Sequence, residues 1–142
     1  MVKATTPEEN KEIAIRLSTE VVILKKNIDE LMSPDFIYHG PGGAPQMNRE
    51  QCLGFWDTLM NAFPDLNITF EDVIAEGDTV MLRYVTRATH TGDFMGAPAT
   101  GTKTEVRGIL TRKVIDGKVV EEWNYTDTLS MMKQLGIIPA GK

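Results

Sequence analysis

Residues 105–127 read EVRGILTRKVIDGKVVEEWNYTD. Two runs rich in β-branched and aromatic residues flank Asp116-Gly117, a pair that tolerates the left-handed backbone of a two-residue hairpin loop. The pattern predicts strands over 105–115 and from Lys118 to about Thr126. With that loop, Ile115 faces Lys118 and the pairs run outward. Leu110 comes opposite Trp123, Gly108 opposite Tyr125 and Val106 opposite Asp127. Parity then puts Val106, Gly108, Leu110 and Val114 on one face with Val119, Trp123, Tyr125 and Asp127. Arg107, Thr111, Lys113, Glu122, Asn124 and Thr126 take the other. The first set is the more apolar and is predicted to face the interior, with Arg112 and Glu121 paired towards its rim. The assignment assumes an unbroken ladder; a one-residue bulge would turn one strand over.

Outward from this hairpin the period changes. Thr128 to Leu135 reads as a short helix ended by Gly136. Upstream, Thr91 to Gly101 is a glycine-rich loop, Thr79 to about His90 a strand, and Glu76-Gly77-Asp78 a turn after the alternation Leu66, Ile68, Phe70. Cys52, Phe55, Trp56, Leu59, Met60 and Phe63 share a helical stripe, with Asn48 as N-cap and Gln51 three residues on. That helix ends before Pro64. GPGGAPQ (residues 40–46) is a loop after a short strand, Asp35–His39. Residues 1–7 are expected to be frayed. The first helix begins at Pro7 after Thr6 as N-cap, and carries Ile13, Leu17, Val21, Leu24, Ile28 and Leu31 on one stripe. It must stop before Ser33-Pro34. The order is helices, then an antiparallel meander, then a terminal helix. It predicts an α+β fold in which a curved antiparallel sheet wraps the N-terminal helices and leaves a pocket between them.

The 142 residues suit one domain, 1–142, with a core over about 8–139. A net charge of −5 argues against nucleic acid, which needs a basic surface, and gives no reason to expect binding to an anionic membrane. One cysteine, Cys52, and two histidines leave few metal ligands, so no metal site is expected. No apolar run approaches the ~20 residues that cross a bilayer. Without a secretory signal, the expected compartment is the cytoplasm.

Asp127, aimed inward, admits two readings: a structural one, as an N-cap for the helix from Thr128 or a partner for a buried arginine, and a functional one, as a general acid/base raised by desolvation. Four segments bear on the choice. THTGDFMGAPATGTKTEVRGI (89–109), KVVEEWNYTDTLSMMKQLGIIP (118–139), DFIYHGPGG (35–43) and AFPDLNITFEDVIAEGDTV (62–80) resemble the SnoaL-like polyketide cyclases, or predicted ester cyclases, of the nuclear-transport-factor-2-like superfamily. The resemblance covers roughly residues 10–139. It implies a cone-shaped α+β barrel around a cavity, and a homo-oligomer, dimer or tetramer. It also implies intramolecular aldol condensation of a hydrophobic carbonyl compound without cofactor, with an aspartate at the position of Asp127 as acid/base. Some such cyclases place a histidine on a neighbouring strand; here Val106, Arg107 and Gly108 stand across from Asp127.

His90, in the THTG stretch, is a candidate catalytic helper or a loop-closing hydrogen bond. His39, at the end of the first strand, is a candidate substrate contact or a surface histidine, and Tyr38 has the opposite parity. Arg83 and Arg87 share a face, where pairing with Glu71 or Asp72 is expected. Trp56, Gly108, Leu110, Trp123 and Tyr125 are candidate pocket residues, and Phe94 and Met95 a candidate lid. Rival activities on the same scaffold are isomerase, dehydratase or epoxide hydrolase, the last favoured by a cavity arginine touching Asp127. A non-catalytic small-molecule-binding or oligomerisation module is the remaining alternative.

Overall fold

A computed structural model describes residues 5–139. Helix α1 (Pro7–Arg16) starts at a full capping box, Thr6 with Glu9. It runs on into a π-helical segment, Leu17–Ile23, rather than ending as one long α-helix. Left-handed Lys25 and Asn27 break the chain there, and α2 (Ile28–Leu31) follows. The apolar stripe is thus interrupted, and Leu24 is 57% exposed. The expected fraying of residues 1–7 falls in part on 1–4, outside the described residues.

Strand β1 (Met32–His39) begins three residues earlier than expected and carries Pro34. β2 (Met47–Asn48) leads into α3 (Arg49–Ala62), capped by Asn48 with Gln51. β3 (Asn67–Glu76), β4 (Thr79–Thr89), β5 (Lys103–Ile115) and β6 (Lys118–Thr126) form the meander, and α4 (Thr128–Gln134) closes the chain. The strands make one curved, open sheet in the order β2-β1-β6-β5-β4-β3. One pair departs from the antiparallel expectation: β1 runs parallel to β6, because the chain returns to the meander through α3 and not through a hairpin. Among the described residues, no helix is long and apolar enough to cross a membrane.

α1, the π-helical segment and α3 cover the sheet's concave face. The core lies between them, from Ala14, Leu17 and Val21 to Phe36, Trp56, Leu82, Leu110 and Val119. A second cluster of Ala62, Phe63, Ala88, Phe94 and Leu135 fills the far end.

The hairpin loop is as expected, with Ile115 opposite Lys118 and positive φ at Asp116 and Gly117. The ladder then shifts by one residue. Val114 pairs with Val119, but Lys113 pairs with Glu121, so Val120 is bulged. Beyond that point Arg112 faces Glu122, Leu110 faces Asn124 and Gly108 faces Thr126. The inward set of β5 stands as expected, while every inward assignment on β6 past Val119 is reversed.

Candidate active site

Between the helices and the sheet lies a cavity of about 310 Å³. That is near the lower end of pockets that take drug-sized ligands. One wall is aromatic and aliphatic: Phe55, Trp56, Leu59 and Phe63 from α3 and its C-cap, with Val22 and Ile23 from the π-helical segment. Wide turns of this kind recur where helices border functional sites.

The opposite wall is the sheet, and its polar groups converge. Alternation on β4 sends Tyr84, Thr86 and Ala88 inward, while Arg83 and Arg87 point out to Asp72, Glu71 and Glu105. The Tyr84 ring lies over Gly108, its cross-strand partner, so that its hydroxyl reaches past β5 to β6. There it donates to Asn124 Oδ1 at 2.8 Å and lies 2.8 Å from Thr126 Oγ1. A Cβ at Gly108 would stand 2.6 Å from Tyr84 Cζ, so only glycine admits this ring. Burial raises the Tyr84 phenol above its usual range, against the hydrogen bond from Thr126. Tyr38 enters from β1, 3% exposed. Burial first, then the Glu122 charge, push its phenol up strongly.

The floor is a buried ion pair. Arg112 Nε donates to Glu122 Oε1 at 2.7 Å, with the side chains 2% and 1% exposed. Arg112 Nη1 donates to the Ala14 carbonyl and to Ser18 Oγ, tying the pair to the helix at the α-to-π transition. Arg112 was expected to pair, but with Glu121; the bulge substitutes its neighbour. Glu122 is the carboxylate among the described residues that line the cavity.

Of the ten residues singled out from sequence, Trp56, Leu110 and Met95 line the cavity, and Gly108 underlies Tyr84. The inward orientation expected of Trp123, Tyr125 and Asp127 is corrected by the bulge. Tyr125 is 65% exposed on the outer face. Trp123 stacks on His39 there, ring centroids 5.1 Å apart. His39 Nε2 lies 2.6 Å from Glu121, so the parity that takes Tyr38 in takes His39 out. Asp127 is exposed and caps α4, accepting from Ser130 N–H at 3.1 Å. Among the described residues no cavity arginine touches it.

His90 is fully buried, but in the staple of the 91–101 loop. Its Nδ1 accepts the Thr100 N–H at 3.3 Å, its backbone pairs with Gly101 and Thr102, and its ring stacks on Phe63. Phe94 packs edge-on against Phe63 and anchors a two-residue turn that presents Met95, 57% exposed, at the cavity.

Sequence reasoning missed Tyr38, Tyr84, Asn124, Thr126 and Glu122. The outward parity of Arg83 and Arg87 was the available signal for Tyr84. For β6 the signal misled, because its outer face carries Trp123 and Tyr125.

A profile of the family described as SnoaL-like polyketide cyclase matches residues 23–135. No curated protein matches the sequence. Among solved structures the chain is similar to AclR from Streptomyces galilaeus, a candidate hydroxylase, with TM-score 0.85 and 27% identity over 96% of this chain and 87% of that one. It is similar to a candidate SnoaL-like polyketide cyclase from Jannaschia sp. CCS1, with TM-score 0.83 and 26% identity over 96% and 99%. IdmH from Streptomyces antibioticus, a candidate polyketide cyclase, gives TM-score 0.76 and 33% identity over 89% and 98%.

Proposed function

Since the chain belongs to the SnoaL-like polyketide cyclase family, we propose that it closes a ring in a small, hydrophobic, carbonyl-bearing molecule by acid/base chemistry inside the cavity. The observation that carries this reading is a largely apolar hollow with hydroxyl, amide and carboxylate groups gathered on one wall. Such a hollow excludes water and fixes a flexible chain in one folded pose.

The reaction is an intramolecular aldol addition. Glu122 takes the proton of a carbon flanked by two carbonyls. The enolate carbon forms the new C–C bond to a second carbonyl of the same molecule, and the proton returns to the new alkoxide. Atoms balance within the substrate, so product and substrate have the same mass. Tyr84, Asn124 and Thr126 form a hydrogen-bonded polar patch beside Glu122, against which the substrate's oxygens would lie.

Asp127, the carboxylate the family resemblance implies, is the rival. It stands between two cavity-lining residues, Thr126 and Thr128, with Oδ1 engaged as a cap. Turnover of a panel of polyketide-like 1,3-dicarbonyls by the wild type, Glu122→Gln and Asp127→Asn separates the two. We expect Glu122→Gln to fall at least about a hundredfold and Asp127→Asn, which keeps a cap acceptor, to stay near wild type. Loss confined to Asp127→Asn would move the chemistry to the rim. A product heavier by one water would point instead to an epoxide hydrolase, and loss of water without a new carbon–carbon bond to a dehydratase.

The protein is proposed to act as a homodimer through the outer face of the sheet.

A further inference from the structure

We propose that the Tyr38 hydroxyl is the donor that takes the substrate's carbonyl oxygen and holds it as it becomes an enolate oxygen. This assignment rests on the ring-closing reading above. Of the two phenols in the cavity, Tyr84 already donates to Asn124 Oδ1 and has Thr126 beside it. Tyr38 differs. It lines the cavity at 3% exposure, and among the described residues its hydroxyl has only the Asn124 side chain as hydrogen-bond partner. A phenol on an apolar wall whose oxygen accepts from an amide still has its own proton to give, and at low dielectric that hydrogen bond is stronger than in water.

Its position is fixed on every side. Phe55 and Trp56 pack against the ring with centroids 6.1 and 6.2 Å away. A Cβ at Gly40 would meet Tyr38 Cε2 at 3.1 Å, so the chain turns closely under the ring. Because Tyr84 occupies Asn124 Oδ1, the Asn124 amide group is left to face Tyr38, where its hydrogen bond slightly offsets the upward push of burial on the phenol. A phenol so raised stays protonated and remains a donor.

Tyr38 also stands directly opposite Glu122 in the β1–β6 register. Neighbouring strands lie about 4.8 Å apart, close enough for two adjacent side chains to meet one carbonyl's oxygen and the hydrogen on its α-carbon. The division of labour follows. Glu122 takes the proton from carbon, Tyr38 holds the oxygen without giving up its own proton, and the proton on Glu122 returns to the new alkoxide. A preorganised donor aimed at a developing oxyanion is the usual largest contribution to such a step.

The test reads binding, not turnover. 2-Naphthol, whose oxygen mimics an enolate oxygen on an apolar ring, and naphthalene, which lacks it, are titrated by fluorescence into wild type, Tyr38→Phe and Tyr84→Phe. We expect Tyr38→Phe to bind 2-naphthol about tenfold to a hundredfold more weakly and naphthalene as wild type does. Tyr84→Phe should lose roughly threefold or less. Equal 2-naphthol binding by Tyr38→Phe and wild type, or a loss carried by Tyr84→Phe, overturns the assignment. Failure of wild type to bind naphthalene would overturn the cavity reading and this donor with it. A protein that binds 2-naphthol through Tyr38 yet turns over no dicarbonyl sinks the ring-closing reading and leaves the donor standing.

Discussion

Gly108 and Tyr84 show how one absent side chain sets a polar wall. The Tyr84 ring crosses β5 only because nothing projects from Gly108, and its hydroxyl thereby reaches β6. Gly108→Ala should expel the ring and destabilise the protein by about 1–3 kcal/mol, read from the urea midpoint. Tyr84→Leu combined with Gly108→Ala should lose less than the two changes summed, since the clash is then relieved. Arg112 and Glu122 make a second residue-scale case. Arg112→Met alone leaves a buried carboxylate without its partner and should cost about 3–5 kcal/mol. Arg112→Met with Glu122→Leu should recover most of that stability while abolishing turnover. A double variant as unstable as the single one would remove the ion pair from this account. The two buried phenols add a pH signature. Both have pKa values raised by burial, so their contribution is fully present below the unfolded phenol's value of about 10 and is lost as pH rises above it. An absorbance titration should show two of the three tyrosines ionising only as the chain unfolds.

At the scale of elements, the junction of α1 and α2 is held by charge. Arg16 pairs with Glu20 at 2.6 Å and with Glu30 at 3.0 Å, while Glu20 also accepts from Asn27, the left-handed residue before α2. The hydrogen bond from Arg16, then that from Asn27, hold the Glu20 carboxyl down at about 2. A depressed carboxylate stabilises the fold above its unfolded value and loses that contribution as pH falls through its folded value. Thermal stability should therefore fall from about pH 4.5 towards 2, and Glu20→Gln should flatten that part of the profile. An unchanged acid limb in the variant would show that the clamp contributes nothing. Elements of this kind mark the limit of legibility. Capping boxes at Thr6 and Asn48, the Asp116-Gly117 loop and the alternation of β4 and β5 are local codes, so each stood in the sequence. The π-helical segment and the Val120 bulge shift a register by one residue without a local residue type that demands it. The bulge alone moved Asp127, Trp123 and Tyr125 out of the expected site and brought Glu122, Asn124 and Thr126 in. The fold tolerated the error because either face of β6 offers large side chains; the site did not.

For the whole molecule, the reversal on β6 changes what the sheet shows to the outside. The convex face was expected to present Glu122 and Asn124 and presents Trp123 and Tyr125 instead, with Ile109 paired to Tyr125 and 41% exposed. The arginines around them are paired within the face, Arg83 with Asp72 and Glu71, Arg87 and Arg107 with Glu105. A face whose charges cancel locally and whose centre is aromatic suits a second copy of itself better than a strongly charged partner, because a two-fold contact sets the same patch against itself. The concave face meanwhile keeps the cavity, so association on the convex face would leave the cavity unobstructed. Sedimentation velocity should give twice the chain mass for the wild type and the single chain mass for Ile109→Lys with Tyr125→Lys, with 2-naphthol binding retained in both. Two positive charges placed opposite their own images across a two-fold axis repel, which is why the pair of substitutions is chosen over truncation. A wild type that sediments as a monomer, or a double variant that stays dimeric, would take the dimer off this face.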